Sequence, residues 1–296
     1  IPEIKNLLNL NKTDQIKDNV TSYLLIGSDE RENASEPNYV ESQRADVIIL
    51  GFFNEKLEIN ALISIPRDTL VSNLCTGEIE RINASYKKNN CGNSAENIVA
   101  AVNNLTGLKI EHIASFNFDG FEKIIDSFNG IEICVDNTQR EGFSFELQKG
   151  CQKVNGSTAL NWARSRNTEI LIGQKIVDED GNDNSEWEKM DNVSDLSRVE
   201  RQQYLVVQLL KELENFSSFG ELLQFIQALE ETFVVDEGLS INKATNILWD
   251  MRTINLNNLT KLTVPTTPYE LDDGRQVLIL NGNFYDFAEE NLLIDE

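Results

Sequence analysis

The chain has 296 residues, of which 40% are hydrophobic, and its formal net charge is −23 at pH 7. This length and apolar content suffice for one large domain or two small ones. The negative charge excludes nucleic acid and an anionic membrane surface as general partners, because both need a basic field on the protein. Any anion site must therefore be local, built from a few arginines gathered against the overall charge.

The N-terminal segment offers no chemistry of its own. Residues 1–20 are polar with scattered Ile and Leu, which predicts a weak amphipathic helix or an arm. The sequence has no apolar run long enough to cross a membrane and no signal-peptide pattern at Ile1. These features fit either a naturally soluble protein or an ectodomain from which a membrane anchor has been removed.

Three apolar runs predict successive strands, and charged residues lie at their ends. They are Tyr23–Ile26 with Asp29 and Arg31, Val47–Phe53 with Arg44 and Asp46, and Leu57–Ile65 with Arg67 and Asp68. Asn54, Glu55 and Lys56 predict a hairpin turn between the second and third strands. Since antiparallel neighbours bring such ends together, Asp46 is expected near Arg67. Taken alone, Arg67 and Asp68 fit a surface ion pair, although strand ends are also where α/β proteins place ligand chemistry.

Helix and strand patterns alternate through the next part of the chain. The predicted elements are a helix over Ala95–Leu105 ended by Gly107, a strand over Ile113–Phe118, a helix over Phe121–Phe128 and a strand over Ile131–Val135. This alternation predicts a layered α/β fold with helices on the faces of a sheet. His112 is interpreted as structural, because no nucleophile motif and no second histidine accompany it.

Four cysteines occur, at positions Cys75, Cys91, Cys134 and Cys151. They form no CxxC motif, and a single histidine argues against a Cys/His zinc site. Of the three possible pairings, we favour Cys75–Cys91 with Cys134–Cys151, each closing a local loop worth about 3 kcal/mol, and Gly142–Gln152 is then a disulfide-clipped hairpin. Free structural thiols are the alternative. Disulfides would indicate a location outside the cytoplasm.

The second half of the chain places basic residues on both sides of an acidic segment. A helix over Ser157–Ala163 runs into Arg164-Ser165-Arg166, and the acidic segment Glu169–Asp191 then predicts a mobile loop. In the long helix that follows, Arg198 and Gln202 share a face near the N-terminus, where backbone N–H groups favour an anion. The alternative is a solvated basic first turn. The C-terminal third, with helices over Glu221–Phe233 and Asn242–Met251 and a strand over Val277–Leu280, is interpreted as scaffold without a separating linker.

Seven short motifs, in this order, together resemble the LytR-CpsA-Psr family of bacterial cell-envelope proteins. They are Leu25–Arg31, Arg44–Asp46, Ser64–Asp68, Arg81–Tyr86, Asp119–Phe121, Arg164–Arg166 and Arg198–Gln203. The resemblance covers about residues 20–210, with a looser match near Thr263–Pro265, and the cysteine pairs are similar to those of actinobacterial members. It implies a single domain, residues 21–296, with a central mixed sheet sandwiched between helices and an acidic insertion at about 168–193. Residues 1–20 would then follow a membrane anchor that this sequence lacks, on the extracellular face of a bacterial cytoplasmic membrane.

The resemblance also implies an activity. Family members transfer a glycopolymer from a polyprenyl-pyrophosphate carrier to peptidoglycan or, in some members, to a surface glycoprotein. By position, Asp29 and Asp46 would hold Mg²⁺, with pyrophosphate bound by Arg67, Arg164, Arg166, Arg198 and Gln202 and supported by Arg31 and Arg44. Carboxylate oxygens suit Mg²⁺ beside phosphate, and arginines suit bidentate phosphate contacts. The implied reaction is attack by an acceptor hydroxyl on the sugar-proximal phosphorus, catalysed by Asp29, Asp46, Arg67, Arg164 and Arg166.

Other features leave alternatives open. Val71 stands where some members have a basic residue, and the acidic insertion is interpreted as a bystander in preference to a lid or acceptor-selecting loop. Val99, Val102, Val206 and Leu210 are candidates to line a tunnel for the lipid tail, and no general base is evident. Two other functions fit the same residues. One is a binding or regulatory module that holds polyprenyl pyrophosphate, and the other is a pyrophosphatase that uses water as the acceptor.

Overall fold

A computed structural model describes seven stretches of the chain, which gather into two compact units. These stretches are 21–29, 44–54, 59–73, 77–90, 92–190, 195–235 and 239–292. The first unit comprises the described residues of Ile1–Phe118 and Ser217–Glu296, and the second comprises those of Asp119–Phe216. Among the described residues, none of the helices combines the length and the apolar character that crossing a membrane requires. The predicted arm over residues 1–20 lies outside the described residues.

Strands and helices follow one another along the whole described chain. The strands are β1 (Thr21–Ser28), β2 (Ala45–Asn54), β3 (Ile59–Ser64), β4 (Leu70–Ser72), β5 (Ile79–Arg81), β6 (His112–Asn117), β7 (Ile131–Val135), β8 (Gln139–Glu141), β9 (Phe145–Leu147), β10 (Gly150–Val154), β11 (Glu169–Ile172), β12 (Glu186–Lys189), β13 (Phe233–Val235), β14 (Thr260–Thr263), β15 (Thr266–Glu270) and β16 (Gln276–Leu280). The α-helices are α1 (Ser94–Thr106), α2 (Phe118–Ser127), α3 (Gly156–Arg164), α4 (Asp195–Glu212), α5 (Phe219–Ala228), α6 (Ile241–Met251) and α7 (Phe284–Leu292).

A six-stranded mixed sheet in the order β13-β6-β1-β2-β3-β14 is the centre of the first unit. The predicted hairpin pairing of β2 with β3 is confirmed as antiparallel, although its turn lies outside the described residues. β1 runs antiparallel to β2 and parallel to β6, which makes the sheet mixed. The predicted fold class, a central mixed sheet with helices, is therefore confirmed. The short edge strand β13 was not predicted, since the helix expected over Glu221–Phe233 ends at Ala228.

Helix α1 covers one face of this sheet. A capping box between Asn93 and Glu96 begins it, and Gly107 ends it in a left-handed conformation with φ 71°, which confirms the predicted stop. Its buried residues join a core that includes Leu24 of β1, and helix α7 adds Phe284 to the same core. Val102 is completely buried there and Val99 is partly buried. A role for these two valines in lining a lipid tunnel stays a prediction, as it does for Val206 and Leu210, which are partly buried on α4.

Strands β7 and β10 of the second unit are joined by the Cys134–Cys151 disulfide. This confirms the second predicted pairing, whereas Cys75 and Cys91 lie outside the described residues. The predicted hairpin over Gly142–Gln152 is wrong, because the hairpin there consists of β8 and β9 and turns at Gly142. Cys151 instead lies directly opposite Cys134 in the ladder of β7 and β10. The disulfide therefore joins two paired strands that are separated in sequence by the hairpin of β8 and β9.

The acidic insertion contains a hairpin, so the prediction of a loop is wrong for its two strands, while its mobility stays a prediction. β11 pairs antiparallel with both β12 and β8. Arg140 of β8 holds the hairpin by ion pairs to Glu169 at 2.8 Å and Asp183 at 2.7 Å, and its guanidinium lies 3.8 Å from the centroid of the Trp187 ring. The described Asp, Asn and Gly residues of the segment lie at positions 173–184, in the connection between the two strands. Residues 191–194 are not described.

Candidate functional site

Asp29 lies at the end of β1, where the main chain pairs it with Arg44 at the start of β2. The backbone N–H of Arg44 donates to Asp29 Oδ1 at 2.9 Å, and the N–H of Asp29 donates to the carbonyl of Arg44 at 3.2 Å. Arg44 is exposed, and Arg31 lies outside the described residues. The strand pairing therefore brings the first predicted carboxylate to the edge of the sheet at which β2 begins.

A β-bulge directs the second carboxylate, Asp46. In the ladder of β1 and β2, Gly27 pairs with Val47 and Ser28 pairs with Ala45, so Asp46 is passed over. A bulge of this kind bends the strand and re-aims a side chain, and bulges are common beside active sites. Gly27 allows the close approach, because a Cβ at this position would lie 3.0 Å from the Cβ of Val47.

Gly27→Ala is expected to lower the free energy of unfolding by about 1–3 kcal/mol, because the added methyl group overpacks the bulge. Gly220→Ala is the matched control, since a Cβ at Gly220 in α5 meets no atom within 4 Å. It is expected to raise the free energy of unfolding by about 0.4–1 kcal/mol. Urea unfolding of both variants measures the difference. Equal stability of Gly27→Ala and the wild type would contradict this account of the bulge.

Arg67 contacts Asp46 across the hairpin of β2 and β3. Its Nη1 donates to Asp46 Oδ1 at 2.7 Å, which confirms the predicted proximity, and the two side chains are 25% and 21% exposed. The Nε of Arg67 is buried and has no hydrogen-bond partner among the described residues. Asp68 Oδ2 lies 3.7 Å from this Nε, beyond hydrogen-bond distance. Buried donors are rarely left unsatisfied, so this Nε is a candidate ligand contact.

Asp68 and Arg81 extend the pair into an alternating set of four charges, Asp46, Arg67, Asp68 and Arg81, hereafter the charge chain. Arg81 Nη1 lies 3.3 Å from Asp68 Oδ1. Its Nε and Nη2 donate to the carbonyl of Gln276 in β16 at 3.1 and 2.6 Å. The C-terminal third, interpreted from sequence as scaffold, thus anchors one end of the charge chain.

Backbone hydrogen bonds fix the turn that carries Arg67 and Asp68. The N–H of Asn83 donates to the carbonyl of Arg67 at 3.1 Å, and the N–H of Leu278 donates to the carbonyl of Asp68 at 2.9 Å. Val71, just beyond this turn, is buried in the hydrophobic core of the first unit. The basic residue that some family members carry at this position would have no water-exposed place in this chain.

The remaining predicted phosphate ligands belong to the second unit. Arg164 and Arg166 are exposed on either side of the buried Ser165, where the backbone is extended with φ −56° and ψ 135°. Both arginines therefore lie at the surface of the second unit. Arg198 and Gln202, on α4, are partly buried. The structure brings Asp46 and Arg67 into contact within the first unit and places Asp29 beside Arg44, where the neighbouring strand ends. Phosphate binding by the residues of the second unit stays a prediction.

Arg201 was not predicted to be a site residue, although it belongs to the Arg198–Gln203 motif. It is buried on α4, and burial lowers the pKa of its guanidinium, while the negative charge of Glu141 acts in the opposite direction. The three-residue spacing between Arg198 and Arg201 places the two side chains next to each other on the helix, which is a reason to consider both as site residues. Sequence alone could not show which of the two is buried.

The donor set at the start of β2 suits a magnesium ion. Asp29 and Asp46 offer hard carboxylate oxygens on adjacent paired strands, and proteins commonly bind Mg²⁺ through one or two carboxylates together with substrate phosphates. One cluster of three candidate ligand residues occurs within the described stretches, formed by Glu132, Cys134 and Cys151. Its two cysteines are joined in the disulfide and do not ligate a metal. Binding of Mg²⁺ by Asp29 and Asp46 stays a prediction.

A model of the LytR_cpsA_psr family matches residues 3–173, more than half of the chain. This protein belongs to the LytR_cpsA_psr family. The resemblance drawn from the seven motifs is thereby confirmed, and the family match ends within the acidic insertion.

Named relatives and a solved structure agree with this membership. The chain is 26% identical over 281 residues to the polyisoprenyl-teichoic acid–peptidoglycan teichoic acid transferase TagU of Bacillus licheniformis, covering 93% of this chain and 74% of that protein. It is 24% identical over 307 residues to the cell wall biosynthesis protein LcpA of Corynebacterium glutamicum, but spans only 54% of that protein's length. The crystal structure of B. subtilis TagV shares the fold, with a TM-score of 0.69 at 20% identity, covering 95% of this chain and 100% of that one.

Proposed function

We propose that this protein transfers a glycopolymer from a polyprenyl-pyrophosphate carrier to a hydroxyl group of a cell-wall acceptor, either peptidoglycan or a surface protein. The observation that carries the proposal is the 2.7 Å contact of Arg67 with Asp46, beside Asp29 on the neighbouring strand. Carboxylates next to an arginine with an unpartnered donor form a site for a metal and a phosphate together. The name of the relative TagU supports a polyisoprenyl-linked donor and a peptidoglycan acceptor.

In the proposed mechanism, the chain binds and orients the pyrophosphate. Arg67 donates to the phosphate oxygens and neutralises charge, while Asp68 and Arg81 keep its guanidinium in place. Asp29 and Asp46 would hold Mg²⁺, which supplies further charge neutralisation when it is bound. The acceptor hydroxyl attacks the sugar-proximal phosphorus and its proton passes to water. The bond from that phosphorus to the bridging oxygen breaks, and polyprenyl phosphate leaves with that oxygen. Positioning and charge neutralisation contribute most of the catalysis of phosphoryl transfer.

The other residues of the proposal come from family membership. Arg164, Arg166, Arg198 and Gln202 would add phosphate contacts, with Arg31 and Arg44 in support. An extracellular location at the membrane is part of the proposal, and the Cys134–Cys151 disulfide supports it because disulfides persist in oxidising compartments. Two carboxylates beside Arg67 favour catalysis over a binding module, since binding a pyrophosphate needs only cations. A pyrophosphatase would be the same site with water as acceptor.

The test is turnover of a polyprenyl-pyrophosphate-linked glycan in the presence of Mg²⁺, with and without peptidoglycan. We expect acceptor-linked glycan and polyprenyl phosphate in equal amounts, and we expect chelation of Mg²⁺ to abolish both. Release of polyprenyl phosphate at the same rate without peptidoglycan would instead identify a pyrophosphatase. Tight binding of the donor without any turnover would identify a binding module, and either result would overturn the transferase proposal.

A further inference from the structure

Arg201 lies on α4 beside Gln202, yet its side chain is turned inward. It is only 6% exposed. Its Nη1 donates to the carbonyl of Trp162 at 2.9 Å and to Thr168 Oγ1 at 3.0 Å. The guanidinium also lies 5.2 Å from the centroid of the Trp162 ring, within the range of a cation–π contact. A buried side chain with these contacts is not placed to hold a phosphate itself.

The two oxygen acceptors of Arg201 bracket the turn that carries Arg164 and Arg166. Trp162 lies in the last turn of α3, and Thr168 is the residue before β11. Inside this bracket, Ser165 Oγ and Thr168 Oγ1 are 2.7 Å apart and buried. One guanidinium therefore ties both ends of the turn to a single point on α4. A turn fixed at both ends holds its exposed side chains in a set direction.

Arg201 also contacts the far end of the acidic insertion. Its Nη2 donates to Met190 Sδ at 3.7 Å, and the N–H of Met190 donates to the carbonyl of Thr168 at 2.9 Å. Thr168 precedes the β11–β12 hairpin and Met190 follows it. The same side chain thus closes the base of the insertion. The insertion separates Arg166 from α4 in sequence, but its two ends remain together at Arg201.

We propose that Arg201 is a positioning residue, which clamps the turn of Arg164 and Arg166 and the base of the insertion to α4. The inference rests on the proposed function in one respect, that Arg166 contacts the pyrophosphate. The clamp itself depends only on contacts within the second unit. Arg201 therefore acts by holding neighbouring residues in place, and it does not contact the ligand.

A double-mutant cycle tests the coupling, with farnesyl pyrophosphate as a soluble probe and its Kd as the readout. Arg166→Ala is expected to weaken binding about tenfold in the wild-type background, as loss of a charge-assisted contact does. In the Arg201→Met background the same change is expected to weaken binding less than about twofold, because the turn is no longer held. An equal factor in both backgrounds would overturn the inference. Arg140→Met, an equivalent change in the same unit, is the control and is expected to leave the effect of Arg166→Ala at about tenfold.

Amide hydrogen exchange tests the clamp without any ligand. The N–H of Ser165 donates to the carbonyl of Trp162 at 3.4 Å, and the N–H of Met190 donates to Thr168. In Arg201→Met both amides are expected to exchange about tenfold faster, while those of β7 keep their wild-type rates. Unchanged exchange of both amides in Arg201→Met would overturn the clamp, whatever the binding experiment shows. If Arg166→Ala does not weaken binding in the wild-type background, that result counts against the pyrophosphate site and leaves the clamp to be decided by exchange. Arg201→Lys replaces the Met variant if that variant does not fold, with the same expectations.

Discussion

Arg67→Ala is expected to lower turnover of the lipid-linked donor by about 10²–10³-fold, as removal of one preorganised charge-stabilising donor does in other enzymes. Arg67 supplies the cation between two carboxylates of the charge chain, at 2.7 Å from Asp46 and 3.7 Å from Asp68. Without it, the local charge at the phosphate site becomes negative and repels the donor. Initial rates at saturating donor and at low donor concentration separate the loss of turnover from the loss of binding.

Arg67→Lys sharpens this expectation, because lysine keeps the charge but not the planar fork of donors. We expect its turnover to fall between those of the wild type and Arg67→Ala. The control is Arg275→Ala in the same unit, which removes an arginine whose Nε lies 2.8 Å from Asp273 and whose side chain is 50% exposed. It is expected to leave turnover unchanged.

Loss of folding would not explain the result for Arg67→Ala. The side chains of Arg67 and Asp46 are only 25% and 21% exposed, so loss of Arg67 leaves a partly buried carboxylate without this partner and is expected to lower the free energy of unfolding by about 1–3 kcal/mol, less than the stability of a typical domain. Urea unfolding of the variant checks this point. Wild-type turnover in a folded Arg67→Ala protein would contradict the placement of the site at this arginine.

The core of the candidate site was predictable from sequence because it is local. Asp46 and Arg67 lie 21 residues apart on two strands joined by one hairpin, and antiparallel pairing alone brings such ends together. The apolar runs were sufficient to place both strand ends. The bulge at Asp46 was not predicted, since a bulge depends on the register with β1 rather than on the composition of β2.

The anchor of the charge chain could not be predicted from any local pattern. Arg81 donates to the backbone carbonyl of Gln276, which is 195 positions away in the sequence. Every residue has a carbonyl, so such an acceptor carries no signal in the sequence. The same limit explains why Arg201 was overlooked, because one of its acceptors is the carbonyl of Trp162.

Composition misled the interpretation of the acidic insertion. Its Asp, Asn and Gly residues are typical of loops, but Glu169–Ile172 forms a strand that pairs with Glu186–Lys189 in a hairpin. Arg140 holds that hairpin by two ion pairs and a stacked Trp187. Short paired strands in a polar segment are stabilised by such cross-strand contacts, which sequence periodicity over four residues does not reveal.

Asp46→Asn is expected to lower turnover by about a hundredfold or more while leaving Arg67 in place. Asparagine keeps an oxygen that can accept from Arg67 Nη1, so the contact seen at 2.7 Å survives without the negative charge. A neutral amide is a weaker ligand than a carboxylate for a hard cation such as Mg²⁺. We therefore expect half-maximal turnover of this variant to require a higher Mg²⁺ concentration, measured from initial rates over a titration of the ion. Asp273→Asn, at an exposed pair with Arg275, is the control and is expected to titrate as the wild type does.

The comparison of Asp46→Asn with Asp46→Ala separates two roles that this carboxylate could have. Alanine removes both the acceptor for Arg67 and the charge, whereas asparagine removes the charge alone. If Asp46 serves only to orient Arg67, the Asn variant will turn over like the wild type at every Mg²⁺ concentration and the Ala variant will be inactive, which would contradict the assignment of Asp46 to the metal. If Asp46 is a metal ligand, both variants will be impaired and the Asn variant will recover part of its rate as Mg²⁺ is raised. The contact with Arg67 is the same in either case, so the response to Mg²⁺ is the measurement that decides between positioning and ligation.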